Sequence, residues 1–337
     1  MDIASVIRAM PKVELHVHLE GAFSFEFLFK LVQQAGDDPS IRTIDDLKRR
    51  FVFQNFNQFI ETWFWKNHFF QTADDFQQST YYTLRELASQ NVILVEAFFS
   101  PWDFQIKGLT APEIITATIA GKEAAEKDFG ISCHLIADLV RDHGSRTALK
   151  RLDDVTPFLG KVIGIGLGGN ESQFPAREFE TVFRMARERG FHVVAHAGEA
   201  VGPESIWEAI QILNVERIGH GIRAVEDASL LDYLKMKQIP LEICPTSNIK
   251  TRVIKDLCVH PLKKMYRQGL LVTINSDDPS MFGTTITKEF EELQRQLGFS
   301  WQDLRRLSLN AVQASFASEM EKRKLAAIIN YYWTKIK

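Results

Sequence analysis

Residues 162–245 contain four short, mostly apolar runs: VIGIGL (162–167), HVVAHAG (192–198), RIGHG (217–221) and PLEICP (240–245). Each run ends in polar residues and is followed by a stretch with helical spacing. The polar ends of successive runs are 24 to 28 residues apart, which is room for one helix and two loops. Near-continuous apolar runs are also what strands covered on both faces of a parallel sheet require. The segment therefore predicts consecutive βα units.

Four further runs extend the same rhythm over the chain: VELHVHL (13–19), VILVEAFF (92–99), ISCHLIADL (131–139) and LLVTINSDD (270–278). Eight strands alternating with helices predict a (β/α)8 barrel, with a doubly wound open sheet as the alternative. The gap of 81 residues between His18 and Phe99 predicts a helical insertion after the first strand. Helices also follow the last strand, where Ser300 and Asp303 predict a capping box. We expect residues 1–337 to form a single domain.

The composition narrows the class of protein. With 45% hydrophobic and 25% charged residues, the 337-residue chain has the balance of an ordinary globular protein and not of a disordered or fibrous one. Its net charge of −3 provides no positive field for nucleic acid or an anionic membrane. No apolar run approaches the roughly 18 residues of a membrane span. We also find no signal-peptide pattern and no CxxC pair among the three cysteines, so we expect a cytoplasmic protein of unknown oligomeric state.

Polar residues stand at the ends of the predicted strands. His16 and His18 share one face of the first strand, because strand residues two apart point the same way. Alone, such an HxH pair is usually chance. Later strands, however, end in His196, in His220 and in the pair Asp277–Asp278. Two adjacent carboxylates after an apolar strand are costly unless they are solvated, paired or bound to a metal ion.

In a barrel, the carboxyl ends of all strands meet at one face. Four residues at these ends carry atoms that a metal ion prefers: His16, His18, His196 and Asp277. Three imidazole nitrogens and one carboxylate suit a borderline divalent ion such as zinc, in a site that keeps a water. The pattern predicts a metal centre at this face.

Other conspicuous features favour packing or exclude a function. The glycine run at residues 164–169 lacks the G-x-G-x-x-G spacing of a nucleotide loop. A G-x-S-x-G elbow is absent, which disfavours a serine hydrolase. His134 and His192 lie inside or at the start of strands, and we expect structural roles for both.

Seven segments, in this order, resemble the adenosine deaminase family of the amidohydrolase superfamily: VELHVHLEGA (13–22), LGGNE (167–171), HAGE (196–199), RIGHG (217–221), CPTSNIKT (244–251), HPL (260–262) and TINSDDPSMFGTT (273–285). The resemblance extends from about residue 10 to about residue 316. It implies a (β/α)8 barrel with one catalytic zinc ion per chain that hydrolyses an exocyclic amine from a purine. The HxE and PCxxC signature of cytidine-type deaminases is absent.

The resemblance also implies roles for individual residues. It implies zinc ligands at His16, His18, His196 and Asp277. It implies a proton donor at Glu199, a base and oxyanion-stabilising group at His220, and a water-orienting carboxylate at Asp278. Substrate contacts are implied at His18, Glu20, Gly169 and Asp278. Two alternatives are a catalytically silent purine-binding relative and a hydrolase with two metal ions; the second would need a bridging lysine or glutamate after the fourth strand, where this chain has LGGN.

Two departures from the family pattern bear on the substrate. Glu20 replaces the aspartate that contacts ribose in animal adenosine deaminases, and Asn170 replaces a frequent aspartate. Glutamate at the first position occurs in relatives that act on free adenine or on modified nucleosides. We expect adenosine or 2′-deoxyadenosine as the substrate, with adenine or a 5′-modified adenosine such as aminodeoxyfutalosine as the alternative.

The segment around Glu20 also predicts that AMP is a poor substrate. The loop GAFSFEF (21–27) contains no basic residue to pair with a 5′-phosphate, which the carboxylate would repel. The aromatic segment from Phe59 to Phe70 is expected to form part of the wall over the sugar side, with plain packing as the alternative.

Overall fold

The structure is a computed structural model that describes residues 3–53, 56–104 and 108–336. Its eight strands form one sheet in which all neighbours are parallel and the strand order follows the chain. The strands are β1 (Lys12–His18), β2 (Val92–Phe99), β3 (Ser132–Asp138), β4 (Val162–Gly166), β5 (His192–Ala197), β6 (Arg217–His220), β7 (Leu241–Ile243) and β8 (Val272–Ile274). Each of the eight predicted apolar runs coincides with one of them, although β1 begins one residue before its run, at Lys12.

Helices cover the outside of the sheet. Five lie before β2: α1 (Ile3–Ala9), α2 (Phe25–Ala35), α3 (Ile44–Arg50), α4 (Phe56–Asn67) and α5 (Ala73–Ser89). Seven connect later strands: α6 (Ala111–Phe129), α7 (Gly144–Val155), α8 (Glu180–Glu188), α9 (Pro203–Gln211), α10 (Ala228–Lys237), α11 (Pro245–Lys250) and α12 (Leu262–Arg267). Four follow β8: α13 (Pro279–Phe282), α14 (Ile286–Leu297), α15 (Trp301–Ala314) and α16 (Glu319–Thr334). Within the described ranges, no helix has both the length and the apolar character needed to cross a bilayer.

The sheet closes on itself where the chain segment after β8 meets β1. The side chain of Asn275 accepts a hydrogen bond from the N–H of Leu15 at 2.8 Å. The backbone of Asp277 accepts from the N–H of His18 at 2.9 Å and donates to the carbonyl of His16 at 3.0 Å. An open sheet would leave these edges unpaired. The predicted (β/α)8 barrel is therefore confirmed, and the doubly wound alternative is wrong.

A row of charged side chains crosses the inside of the barrel. The guanidinium of Arg217 donates to the carboxylates of both Glu96 and Glu242, and all three side chains are fully buried. The carboxylate of Glu242 also lies 2.7 Å from Nδ1 of His16, and the carboxylate of Glu96 lies 3.5 Å from Nδ1 of His134. A charge removed from water is stable only when it is paired. This ion network thus connects the two ends of the barrel.

The predicted insertion after β1 is present as helices α2 to α5. It forms a second apolar cluster beside the barrel core, rich in buried phenylalanines: Phe23, Phe27, Phe51, Phe69, Phe70, Phe76 and Phe104. Their rings make edge-on and tilted contacts with centroids between 4.7 and 6.5 Å apart, a favourable arrangement for aromatic pairs. The insertion therefore packs around phenylalanines of its own together with residues of later segments, such as Phe104 and Phe282.

Two local predictions can be compared directly with the structure. The capping box is confirmed, since Ser300 and Asp303 exchange side chain and backbone hydrogen bonds at the start of α15. His192 stacks on Phe316 with centroids 4.1 Å apart, and its Nδ1 lies 3.0 Å from a carboxylate oxygen of Glu216. These contacts occupy the amino-terminal end of β5, away from the predicted site.

We expect Arg217→Met to lower the free energy of unfolding by about 3–5 kcal/mol, because it leaves two buried carboxylates without their common partner. Urea denaturation of the metal-free protein, followed by circular dichroism, measures this change. Arg184→Met is the control, since the pair of Arg184 and Glu188 is exposed and is worth only about 0.5 kcal/mol. Equal stability of the two variants would contradict the role of the ion network.

Candidate active site

A cavity of about 490 Å³ opens at the carboxyl ends of the strands. Eight of the nine predicted site residues line it: His18, Glu20, Gly169, His196, Glu199, His220, Asp277 and Asp278. The ninth, His16, is fully buried, and its ring centroid lies 4.5 Å from that of His196. The structure therefore brings all nine together.

Imidazole and carboxylate groups converge at one point of this cavity. One ligand atom from each of His16, His196, His220 and Asp277 lies within 4.8 Å of the others. Nε2 of His18 adjoins this cluster, 3.4 Å from Oδ1 of Asp277 and 3.3 Å from Nε2 of His196. The predicted ligand set is thus assembled, and His220 lies at the same point.

The hydrogen bond from His16 to Glu242 prepares His16 for metal binding. When Nδ1 donates to the carboxylate at 2.7 Å, the lone pair of the neutral ring is on Nε2. Nε2 is buried and has no hydrogen-bond partner among the described residues. An orphaned lone pair beside a carboxylate fits a divalent cation, so the residues present fit the implied metal. The sequence motifs do not point to Glu242. A charged residue within the apolar run PLEICP is nevertheless a signal of function, because burying its charge is costly unless the charge is paired.

Two residues of the cluster have unusual backbone conformations. His220, the last residue of β6, has a φ of +60°, and Asp277 has a φ of +64°. This left-handed region is sparsely populated by residues other than glycine, and each case costs on the order of 1–3 kcal/mol. Such conformations persist where the surrounding structure holds them, and they concentrate at functional sites.

Glu199 lies at the edge of the cluster as a protonated acid. Its Oε2 is 3.5 Å from Nε2 of His220. Burial, together with the nearby carboxylates of Asp277 and Glu171, raises the pKa of Glu199 to about 8. At neutral pH in the metal-free protein, the side chain therefore carries a proton that it can donate.

Glu171 fixes the loop that carries Glu199. Its carboxylate accepts hydrogen bonds from the N–H groups of Glu199 at 3.2 Å, Ala200 at 2.9 Å and Val201 at 3.1 Å, and from the N–H of Gly198. Charge-assisted bonds to several consecutive N–H groups leave this turn little freedom. Glu171 was missed as a functional residue, although it stands in the segment LGGNE.

Glu20 is directed toward the end of β2. Its carboxylate accepts the N–H of Ser100 at 2.7 Å, and burial raises the pKa of Glu20 to about 7. The buried Lys66 of α4 supplies a positive charge nearby. Its Nζ donates to Oδ1 of Asn67 at 2.6 Å and lies 4.4 Å from the ring centre of Trp63. Residues 21–27 thus contain no basic residue that could pair with a 5′-phosphate, as predicted. Helix α4 of the insertion, however, places Lys66 near Glu20.

Acidic side chains nevertheless dominate the lining of the cavity. Seven acidic residues line it: Glu20, Asp103, Asp138, Asp142, Glu199, Asp277 and Asp278. No lysine or arginine of the described ranges is among its lining residues. The end of β4 contributes glycines, of which Gly169 has a φ of +95° and would bring a Cβ to 2.0 Å from the carboxylate of Asp142. No bridging lysine or glutamate for a second metal ion stands there.

The aromatic segment of α4 forms one side of the cavity. Trp63, Phe64 and Asn67 are among the lining residues, so the segment reaches the cavity as expected. The side chain of Phe59, at the start of the predicted wall, lies outside the described residues. Phe64 is 66% exposed, which puts an apolar ring at the solvent edge of the opening.

Comparison with known proteins agrees with this geometry. The family model described as adenosine deaminase matches residues 11–332. An adenine deaminase of Acinetobacter baylyi is 35% identical over 330 residues, covering 98% of this chain and 99% of that protein. The crystal structure of an adenine deaminase from Arthrobacter aurescens has a TM-score of 0.91 and 34% identity, covering 97% of this chain and 100% of that one. An amidohydrolase from Burkholderia ambifaria with bound zinc has a TM-score of 0.88 and 25% identity, covering 99% and 95%.

We expect the purified protein to contain about one equivalent of a divalent transition metal per chain. His18→Ala should lose most of it, because the variant removes an imidazole from the cluster. Elemental analysis by mass spectrometry measures both. His68→Ala, which removes an exposed histidine on the insertion, is the control and should keep the metal. Active wild-type protein without a transition metal would refute the centre.

Proposed function

Because this chain belongs to the adenosine deaminase family of hydrolytic deaminases, we propose that it converts free adenine to hypoxanthine and ammonia with one zinc ion per chain. The observation that carries the reaction is the meeting, in one cavity, of the buried Glu199 with the imidazole and carboxylate cluster. An acid and a metal-binding cluster at one point are what the hydrolysis of an aromatic amine requires.

Two observations support adenine over adenosine. The relatives that cover nearly the whole chain at 34–35% identity are adenine deaminases. In addition, Glu20 stands where animal adenosine deaminases have the aspartate that contacts ribose, and Oε1 of Glu20 accepts the N–H of Ser100 at 2.7 Å. Our first expectation, adenosine, is therefore replaced by its stated alternative.

We assign each residue of the cluster one task. The residues that would hold zinc are His16, His18, His196 and Asp277. When bound, the ion would supply Lewis-acid activation of a water molecule near neutral pH. Asp278, which lines the same cavity, orients that water as an acceptor. Glu171 keeps the loop of the acid in place.

The remaining steps follow from the proton on Glu199. Its transfer to N1 withdraws electrons from C6, so that the oxygen of water can add there. His220 stabilises the added oxygen, from a position 3.5 Å from the carboxylate of Glu199. One proton of the water passes to N6, the bond from C6 to N6 breaks and ammonia leaves. The other proton returns to Glu199 as C6 becomes an oxo carbon.

Glu199→Gln should keep the metal but lower kcat by about 10²–10⁴-fold, since glutamine cannot transfer a proton. The absorbance change on deamination gives the rate, and metal analysis verifies the site. Glu204→Gln, an exposed substitution five residues away at the start of α9, is the matched control and should keep full activity. Near-normal turnover by Glu199→Gln would remove the assignment of the acid.

The kcat/KM for adenine should exceed that for adenosine by at least about tenfold. A site built to bind the polar groups of one substrate discriminates strongly against a substrate whose polar groups differ. AMP should be worse than adenosine by about a hundredfold or more, since the acidic lining repels its phosphate. Glu20→Asp should move the ratio toward adenosine by restoring the residue that contacts ribose in the animal enzymes. Spectrophotometric assays of adenine, adenosine, a 5′-modified adenosine and AMP measure the order. A faster reaction with adenosine would overturn the proposed substrate.

A further inference from the structure

Three buried groups lie behind His220, on the opposite edge of its ring from the cluster. Nδ2 of Asn248 is 3.2 Å from Nδ1 of His220, and Oδ1 of Asn248 is 3.2 Å from Nε2 of His260. The backbone N–H of Leu262 donates to Nδ1 of His260 at 3.1 Å. His220, Asn248 and His260 are all at most 5% exposed. We call Asn248, His260 and the N–H of Leu262 the tautomer relay.

The direction of every hydrogen bond in the relay follows from its backbone end. An N–H group can only donate, so Nδ1 of His260 accepts from Leu262 and carries no proton. A neutral imidazole has a single N–H, which in His260 must then be on Nε2. Nε2 donates to Oδ1 of Asn248, and this sets the amide orientation. The amide N–H group donates to Nδ1 of His220, so the proton of neutral His220 is on Nε2.

Two further observations agree with this proton order. Burial lowers the pKa of His260 to about 4, so the ring is neutral in ordinary buffers. The side chain of Asn248 also faces Glu199 and opposes the rise in the pKa of that residue, as an amide N–H does. An amide turned the other way would present its nitrogen to the N–H of His260.

We propose that the tautomer relay holds His220 as a hydrogen-bond donor toward the metal-binding cluster, so that His220 stabilises the oxygen added to C6 and does not accept the proton of water. The donating Nε2 lies 3.5 Å from Oε2 of Glu199 and 3.8 Å from Oδ2 of Asp277. This inference rests on the proposed function and chooses between the two roles, base and oxyanion stabiliser, that the family resemblance implies for His220. Asn248 and His260 are positioning residues, because they act only through His220.

The proton of the attacking water then passes to another group. Asp278 lines the same cavity, and its buried Oδ1 has no hydrogen-bond partner among the described residues. As the oxygen of water bonds to C6, its proton moves to Asp278 and Glu199 protonates N1. The C6–N6 bond next breaks, N6 takes the proton from Asp278 and leaves as ammonia, and the C6 hydroxyl returns a proton to Glu199.

The tautomer can be measured without substrate. Nitrogen NMR of zinc-loaded enzyme with ¹⁵N-labelled histidine distinguishes a ring with the proton on Nε2 from one with it on Nδ1. His220→Gln and His260→Gln identify the two signals among those of the nine histidines. We expect the proton on Nε2 in both His220 and His260. A proton on Nδ1 of His220, or on both of its nitrogens, would overturn the relay.

Variants of His260 test the effect on the rate without altering the contact of Asn248 with Glu199. In His260→Gln, the side-chain amide can accept from Leu262 and donate to Asn248, so we expect kcat within about threefold of wild type. In His260→Leu, the amide of Asn248 loses its fixed orientation, and we expect kcat to fall about tenfold or more with KM for adenine unchanged. Equal rates for the two variants would contradict the relay.

Asn248→Asp reverses the last hydrogen bond. A carboxylate accepts from Nδ1 of His220, so the ring proton should move from Nε2 to Nδ1 in the NMR spectrum and kcat should fall about 10²-fold, the effect of losing one oxyanion donor. Asn310→Asp applies the same substitution at another buried asparagine, whose Nδ2 donates to the carbonyl of Val272. This control should keep both the tautomer and the activity.

The NMR measurement and the assay of adenine deamination together separate the tautomer relay from the proposed function. Enzyme that carries the Nε2 proton on His220 but does not deaminate adenine would refute the proposed function and leave the relay intact. Enzyme that deaminates adenine with the proton of His220 on Nδ1 would refute the relay alone. Circular dichroism and metal content of each variant exclude unfolding as the cause of a lost rate.

Discussion

The backbone of Asp277 joins the two ends of the sheet, and its carboxylate lies among the imidazoles of the metal-binding cluster. Its hydrogen bonds to His16 and His18 are among those by which the barrel closes, together with the bond between Asn275 and Leu15. The distances between the first-strand histidines and this carboxylate are therefore consequences of sheet closure, and loops do not have to maintain them. The left-handed conformation of Asp277 is the cost of turning the chain at this point.

The concentration of carboxylates in the cavity is stable only in combination with other charges. Burial and nearby carboxylates raise the pKa of Glu199 to about 8 and also raise the pKa of Asp278. Deeper in the barrel, the negative charges of Glu96 and Glu242 are neutralised by ion pairs with Arg217. A divalent ion would add two positive charges between these layers. The metal centre and the acidic lining thus depend on each other.

The sequence predicts the barrel and the cluster well because both depend on local patterns. Each strand is one apolar run, and each cluster residue stands at or near the end of its run, as His196 and His220 do. Contacts between distant segments have no such pattern. Glu20 could be recognised as a departure from the family, but not its bond to Ser100, 80 positions further along the chain. Lys66 was missed because spacing within a helix does not reveal where an insertion lies against a barrel. The motifs do not distinguish adenine from adenosine for a related reason, since the motifs that supported adenosine belong to the whole family.

The insertion packs around an aromatic cluster that it shares with later segments of the chain, and it contributes Trp63, Phe64 and Asn67 to the cavity wall. The metal-binding cluster itself is built from barrel strands and the segments that follow them. Mutations within the insertion can accumulate without moving the reacting groups, whereas changes in the strand ends affect every substrate alike. Over evolutionary time, descendants of one ancestral barrel can therefore diversify in the molecules they accept while inheriting an unaltered reaction.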